Sequence, residues 1–195
     1  MMRFSPPPEP PEFDEKARRP GNAWLATNIN PKRPKDYWTP FKSHLAYGFG
    51  NLCGYSMMCD LVGTVDHYLS WDNYHHLAYE WSNYRYASAW INSSKKNIDD
   101  QVLDPFQVGD DWFEIILPSL QLVLTDKVPP EERQRAEFTL QRLHLRDDER
   151  VIRPRREWYR SYLDGEITLE GLEKKAPLIA RAIRRQQQDS SAIQQ

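Results

Sequence analysis

Nine of the 15 prolines fall within residues 1–40. Proline locks φ and withdraws a backbone donor, so a run such as Pro6-Pro7-Pro8-Glu9-Pro10-Pro11 joins neither a helix interior nor a central strand. Residues 1–40 are therefore expected to form a proline-rich extended arm, weakly structured by itself. The core must be drawn from the residues beyond it. A chain of 195 residues has enough sequence for one domain with its own core, plus tails.

With two cysteines the chain builds neither a disulfide framework nor a four-sulfur zinc site, which suits a reducing compartment. No run approaches the roughly 18 apolar residues of a membrane span, and the start lacks the apolar stretch of a signal peptide. A cytoplasmic protein without a membrane partner is expected. The net charge of -2 hides an asymmetry: residues 41–126 carry 4 basic and 11 acidic groups, residues 127–187 carry 15 and 11. A polyanion finds its attraction in the C-terminal third, whereas the acidic middle needs a cation to receive one.

Thr39-Pro40-Phe41 is a helix start, and Phe41, Leu45 and Phe49 carry the helical spacing to about residue 52. Thr64-Val65 with Tyr68-Leu69 reads as a short strand, Asn83 to Tyr86 as a second that can pair with it, and Ala87 to Lys96 as a helix. Trp112 to Leu117 and Leu120 to Thr125 flank Pro118-Ser119 as a hairpin or kinked pair. Further helices start at Pro130, near Arg150 and at Leu169. The order predicts an α+β fold: a strand–strand–helix core with the later strand pair in 41–126, a helical region in 127–187, and a disordered polar tail in 188–195.

Residues 65–97 carry the chemistry. Asp66-His67 sits on a strand, Asn83 lies 16 residues past the histidine, and Asn92 lies 25 past it at the start of a helix that also bears Lys95 and Lys96. A neutral imidazole takes a proton from water near pH 7. A carboxylate with an amide oxygen holds a hard divalent cation, and that cation stabilises charge on a scissile phosphate. Lys95, Lys96 and Arg85 are candidates to hold neighbouring phosphates, although Arg85 can instead pair with Glu80 or Asp72. Adjacent strand residues point to opposite faces, so Asp66 and His67 share a pocket only if the strand ends or bends there, which Ser70-Trp71-Asp72 permits.

This arrangement resembles the HNH endonuclease family, whose ββα-metal motif sets Asp-His on a strand, an Asn in the middle, and a His or Asn on the following helix. The resemblance implies a small ββα nuclease unit embedded in a mostly helical domain, with DNA as substrate and one Mg²⁺ or Mn²⁺ as cofactor. It implies that His67 is the general base, that Asp66 and Asn92 hold the metal, and that Asn83 fixes the loop or the His67 ring through a backbone hydrogen bond. Many relatives carry paired Cys-x-x-Cys knuckles; here Cys53-Gly54-Tyr55-Ser56 stands at the first and no second pair occurs, so structural zinc is not expected. Asp104-Pro105-Phe106, and Ala136 to Leu143 with Arg153 beyond it, resemble HNH proteins of retron and Septu-type anti-phage systems. That likeness implies an effector nuclease working beside an ATPase partner.

Blander readings stand beside these. A catalytically silent module that binds nucleic acid or a partner would keep the same shape. Trp71, Tyr79, Trp81, Tyr84, Tyr86 and Trp90 suit base stacking, yet a small ββα unit needs large side chains to cover it, and packing is their expected role. His75 and His76 fall in a polar loop and are expected to be solvated. The seven arginines of residues 142–160 form either a phosphate-contacting patch or a salt-bridged helix face.

Overall fold

The computed structural model describes residues 1–28 and 31–193, with side chains described as far as Ser191. The fold is α+β. Strands β1 (Thr64–His67) and β2 (Tyr84–Ala87) pair antiparallel, with Asp66 opposite Arg85 and His67 opposite Tyr84. Helix α3 (Ala89–Lys95) comes next and packs on β1. A second antiparallel pair, β3 (Phe113–Ile116) and β4 (Gln121–Leu124), is joined through a turn with a cis Leu117–Pro118 peptide.

Helices α4 (Pro130–Arg142), α5 (Glu149–Leu163), α6 (Leu169–Lys175) and α7 (Pro177–Ile193) complete the C-terminal half, α4 lying on β4 and α7 on β3. Asp148 caps α5 and Thr168 caps α6, each accepting a backbone N–H. Pro177, which has no backbone N–H to extend α6, instead opens α7. The expected single last helix is therefore two, and helix runs on through residues 188–191, where composition suggested disorder. The last two residues of that expected tail lie outside the described residues. Among the described residues no helix is long and apolar enough to cross a membrane.

The arm is the largest departure from expectation. A π-helical turn (Asp14–Arg18) and α1 (Arg19–Thr27) form within it, and Phe13, Ala17 and Trp38 are buried in an aromatic core with Tyr79, Trp81 and Tyr84. Polyproline backbone cannot pair with itself, but its carbonyls remain acceptors. Trp81 Nε1 donates to Pro7 O at 2.9 Å, and His44 Nε2 lies 3.1 Å from Pro8 O. Close approach is made possible by glycine. A Cβ on Gly48, in α2 (Lys42–Gly48), would meet Pro7 Cβ at 2.3 Å, and one on Gly21 would meet the fully buried Tyr79 ring at 2.4 Å. The described residues of the arm thus pack against the rest of the fold, with Phe13, Ala17 and Trp38 in the core, and burial of these side chains supplies the docking energy.

Gly21→Ala tests this seating. Alanine gains about 1 kcal/mol of helix propensity over glycine, but overpacking against a ring that cannot swing away costs about 1–3 kcal/mol. The expected outcome is a lower urea midpoint than wild type. A midpoint at or above wild type would show that α1 does not rest on Tyr79.

Candidate functional site

Strand alternation decides the site. Along β1, Val65 and His67 face the aromatic core, and Asp66 faces α3. The strand does end at His67, but the pleat holds to that last residue, so the carboxylate and the imidazole diverge.

His67 is half-buried with its ring edge-on to Trp38 at 4.8 Å and to Tyr84 at 5.0 Å. Its Nε2 lies 2.8 Å from the Ala78 carbonyl oxygen, which also accepts from Tyr84 Oη at 2.8 Å. A carbonyl can only accept, so Nε2 carries the proton and Nδ1 keeps its lone pair. Nδ1 makes no hydrogen bond among the described residues. Desolvation pushes the imidazole pKa below its ordinary 6.5, and the charges of Lys95 and Arg33 add to that, against the opposing pull of the Ala78 bond and Asp66.

Asn83 ties the loop that carries Ala78. Its Oδ1 accepts from Leu69 N at 2.8 Å, and its Nδ2 donates to Leu69 O at 2.9 Å and Leu77 O at 3.2 Å. The residue next to Ala78 is thereby pinned, and with it the acceptor that orients His67.

Asp66 is 1% exposed. Its Oδ2 accepts from Tyr55 Oη at 2.6 Å and its Oδ1 from Lys95 Nζ at 3.2 Å. Burial, then the Asp66 charge, holds the Tyr55 phenol protonated well above its ordinary range. Lys95 is 0% exposed and gives its remaining donors to His67 O at 2.9 Å and Tyr68 O at 2.8 Å. Asn92, one turn earlier on α3 and half-buried, donates Nδ2 to Val65 O at 3.2 Å and leaves Oδ1 without a partner among the described residues.

Two of the three expected phosphate contacts need correction. All three Lys95 donors are spent inside the fold. Arg85 is buried: Nε and Nη2 hold the two Asp104 oxygens at 2.7 Å each, Nη1 donates to Ser82 O and Tyr84 O, and the guanidinium stacks 3.6 Å from the Phe106 ring centroid. Four of its five N–H groups are committed inside the fold, and at 4% exposure beneath an aromatic lid the guanidinium is withdrawn from substrate. Lys96, just past α3, is exposed. His75 and His76 are exposed, His75 stacked on Trp71 at 5.3 Å.

Sequence reasoning passed over Tyr55, Trp38, Asp104 and Asp99. Asp99 is buried, accepting from Ser70 N and Asn73 Nδ2 at 2.5 Å each, and so shapes the loop after β1. Tyr55 in Cys53-Gly54-Tyr55-Ser56 and Asp104 in Asp104-Pro105-Phe106 were the two signals the sequence offered.

Asp66 and Asn92 carry the oxygen types a hard divalent cation takes, but Asp66 is 1% exposed and ion-paired with Lys95. Asp66 has about four lone-pair sites and takes one hydrogen bond on each oxygen, and the Asn92 amide oxygen is open. Lys95 already balances the Asp66 charge, and among the described residues no group of three or more His, Cys, Asp or Glu side chains could hold a metal ion. A divalent ion here would need further ligands from water and from substrate phosphate, the usual habit of Mg²⁺. No protein-family model, curated protein or solved structure matches the chain.

Lys95→Met leaves a buried carboxylate without its counter-ion and is expected to cost about 3–5 kcal/mol. Adding Asp66→Asn removes that stranded charge and should recover part of the loss. Urea denaturation of both variants checks this. A cost below about 1 kcal/mol, the range of an exposed pair, would show that Lys95 does not clamp α3 to β1.

Proposed function

We propose that the β1–β2–α3 unit is an HNH-type endonuclease centre that hydrolyses DNA phosphodiester bonds, with His67 as general base. The observation that carries this reading is the 2.8 Å contact from His67 Nε2 to the Ala78 carbonyl, which leaves Nδ1 as a lone pair of defined direction. An imidazole whose pKa is lowered by burial is neutral at pH 7 and ready to accept a proton.

In the proposed reaction Nδ1 takes a proton from water, the oxygen attacks phosphorus, and the bond to the leaving 3′ oxygen breaks. Asn83 serves by keeping the Leu77–Ala78 carbonyls still, so the base does not drift. Asp66 and Asn92 are the residues that would hold Mg²⁺ or Mn²⁺, an ion that supplies charge stabilisation at the phosphate and leaving group. His67 and Asp66 lie on opposite faces of β1, so the proposal requires the scissile phosphate to cross the strand end just past His67. The likeness to retron and Septu-type proteins supports a role as an anti-phage effector beside an ATPase subunit.

A second reading has its own support. The Trp38 and Tyr84 rings lie against His67, and Lys95 neutralises Asp66, a combination that suits a silent module binding nucleic acid or a partner.

Plasmid cleavage with Mg²⁺ or Mn²⁺, run on the chain and on any complex co-purified with it, separates the two. The nuclease reading expects nicking that His67→Ala reduces by about 10²-fold or more, the ordinary worth of a general base. Equal nicking by both proteins would falsify the role of His67, and DNA binding without cleavage in every preparation would favour the silent module. The rate also has a pH signature. The base must be unprotonated, so kcat/KM falls as pH drops through the folded-state pKa, and the acid limb should have its midpoint below 6.5. A midpoint at or above that value would contradict the depressed imidazole.

A further inference from the structure

With Lys95 and Arg85 committed to the interior, the α3 side of the site offers DNA only Lys96 among the three cations first considered. The other side of β1 offers more. Residues 31–38, Pro-Lys-Arg-Pro-Lys-Asp-Tyr-Trp, cross the aromatic face and end with Trp38 against the His67 ring at 4.8 Å. Their backbone is anchored: Tyr79 Oη donates to Lys35 O at 2.7 Å, Tyr37 meets the Tyr79 ring at 5.9 Å, and Pro34 is buried.

Lys32, Arg33 and Lys35, flanking that buried proline, are all exposed, and none forms an ion pair among the described residues. The one acid within residues 31–38, Asp36, is turned back on Thr39, accepting from its N at 2.9 Å and its Oγ1 at 2.6 Å. Mutually repelling cations persist on a folded surface at an electrostatic cost, and a proline-braced segment holds them in place so that little entropy is lost on contact.

We propose that Lys32, Arg33 and Lys35 form the phosphate-gripping strip that lays a DNA backbone across the His67 edge. The proposal rests on the nuclease reading for what happens to that DNA, but not for the binding itself. Arg33 can take a phosphate bidentately, and the lysines act as point charges on either side of Pro34. These cations answer the deficit of the acidic middle segment, whose own two central cations are buried. The Arg33 charge already reaches the imidazole, where it helps hold the pKa down.

Fluorescence anisotropy of a labelled DNA duplex in EDTA, over a series of salt concentrations, tests the strip in the full chain. Four proteins are compared: wild type, the triple variant K32Q/R33Q/K35Q, a matched triple R153Q/R156Q/R160Q on α5, and His67→Ala. Three lost phosphate contacts should flatten the slope of log K against log salt by about 2–3 and weaken binding by about tenfold or more, with the α5 triple and His67→Ala close to wild type. Unchanged affinity and slope in the strip triple would overturn the proposal, as would an equal loss in the α5 triple. If the strip triple binds normally while His67→Ala fails to cut, the strip is wrong and the nuclease stands. If the strip triple loses binding while His67→Ala cuts like wild type, the strip stands and the assignment of His67 falls. Absence of DNA binding by wild type overturns the strip.

Discussion

One ammonium group organises the region. Lys95 draws three oxygens of β1 and its continuation onto its Nζ: the Asp66 carboxylate and the carbonyls of His67 and Tyr68. Backbone carbonyls just beyond a strand end have no ladder partner, and burying them unpaired would cost free energy. Lys95 satisfies them and at the same time neutralises the Asp66 charge. Its position fixes α3 on β1, and so brings the Asn92 amide to Val65 and leaves His67 on the opposite face. The ion pair is weak evidence of net stability, because desolvation offsets much of the attraction; its value lies in specifying one register of helix against strand.

The second organising element is aromatic. Rings from the arm, the loop and β2 enclose the His67 face and lower its dielectric, while one carbonyl, Ala78 O, accepts hydrogen bonds from both Tyr84 and His67. Low polarity around the ring and a fixed acceptor behind it serve one end: the first disfavours imidazolium, and the second sets the tautomer. The proline-rich segment belongs to this device, since Trp38 closes one side of the ring and the cations just before it lie at its margin.

Local chemistry was legible in the sequence, and partnership was not. β1, β2 and α3 lie within about two residues of the spans read from β-branched, aromatic and capping signals, an ordinary boundary error. α2 ends at Gly48 rather than near residue 52, because Gly50 and Asn51 take positive φ of 60° and 57° and turn the chain away. The arm was misread because proline content forecasts backbone conformation but says nothing about which distant ring will dock on it. The same blindness applies to Lys95 with Asp66, 29 residues apart, and Arg85 with Asp104, 19 apart. Periodicity assigns a face, and a charged side chain on an exposed-looking face reads as a contact for solvent or substrate until the opposite charge is found waiting there.

The central claim is that His67 stands as a neutral base with its proton on Nε2 and an open lone pair on Nδ1. Nitrogen-15 NMR of histidine-labelled protein, titrated from neutral to acid pH and assigned with His67→Gln, reads tautomer and pKa together. The account predicts an Nε2–H resonance pattern that persists on acidification below the ordinary imidazole value of 6.5. A proton on Nδ1, or a His67 titration at or above that value, would contradict it.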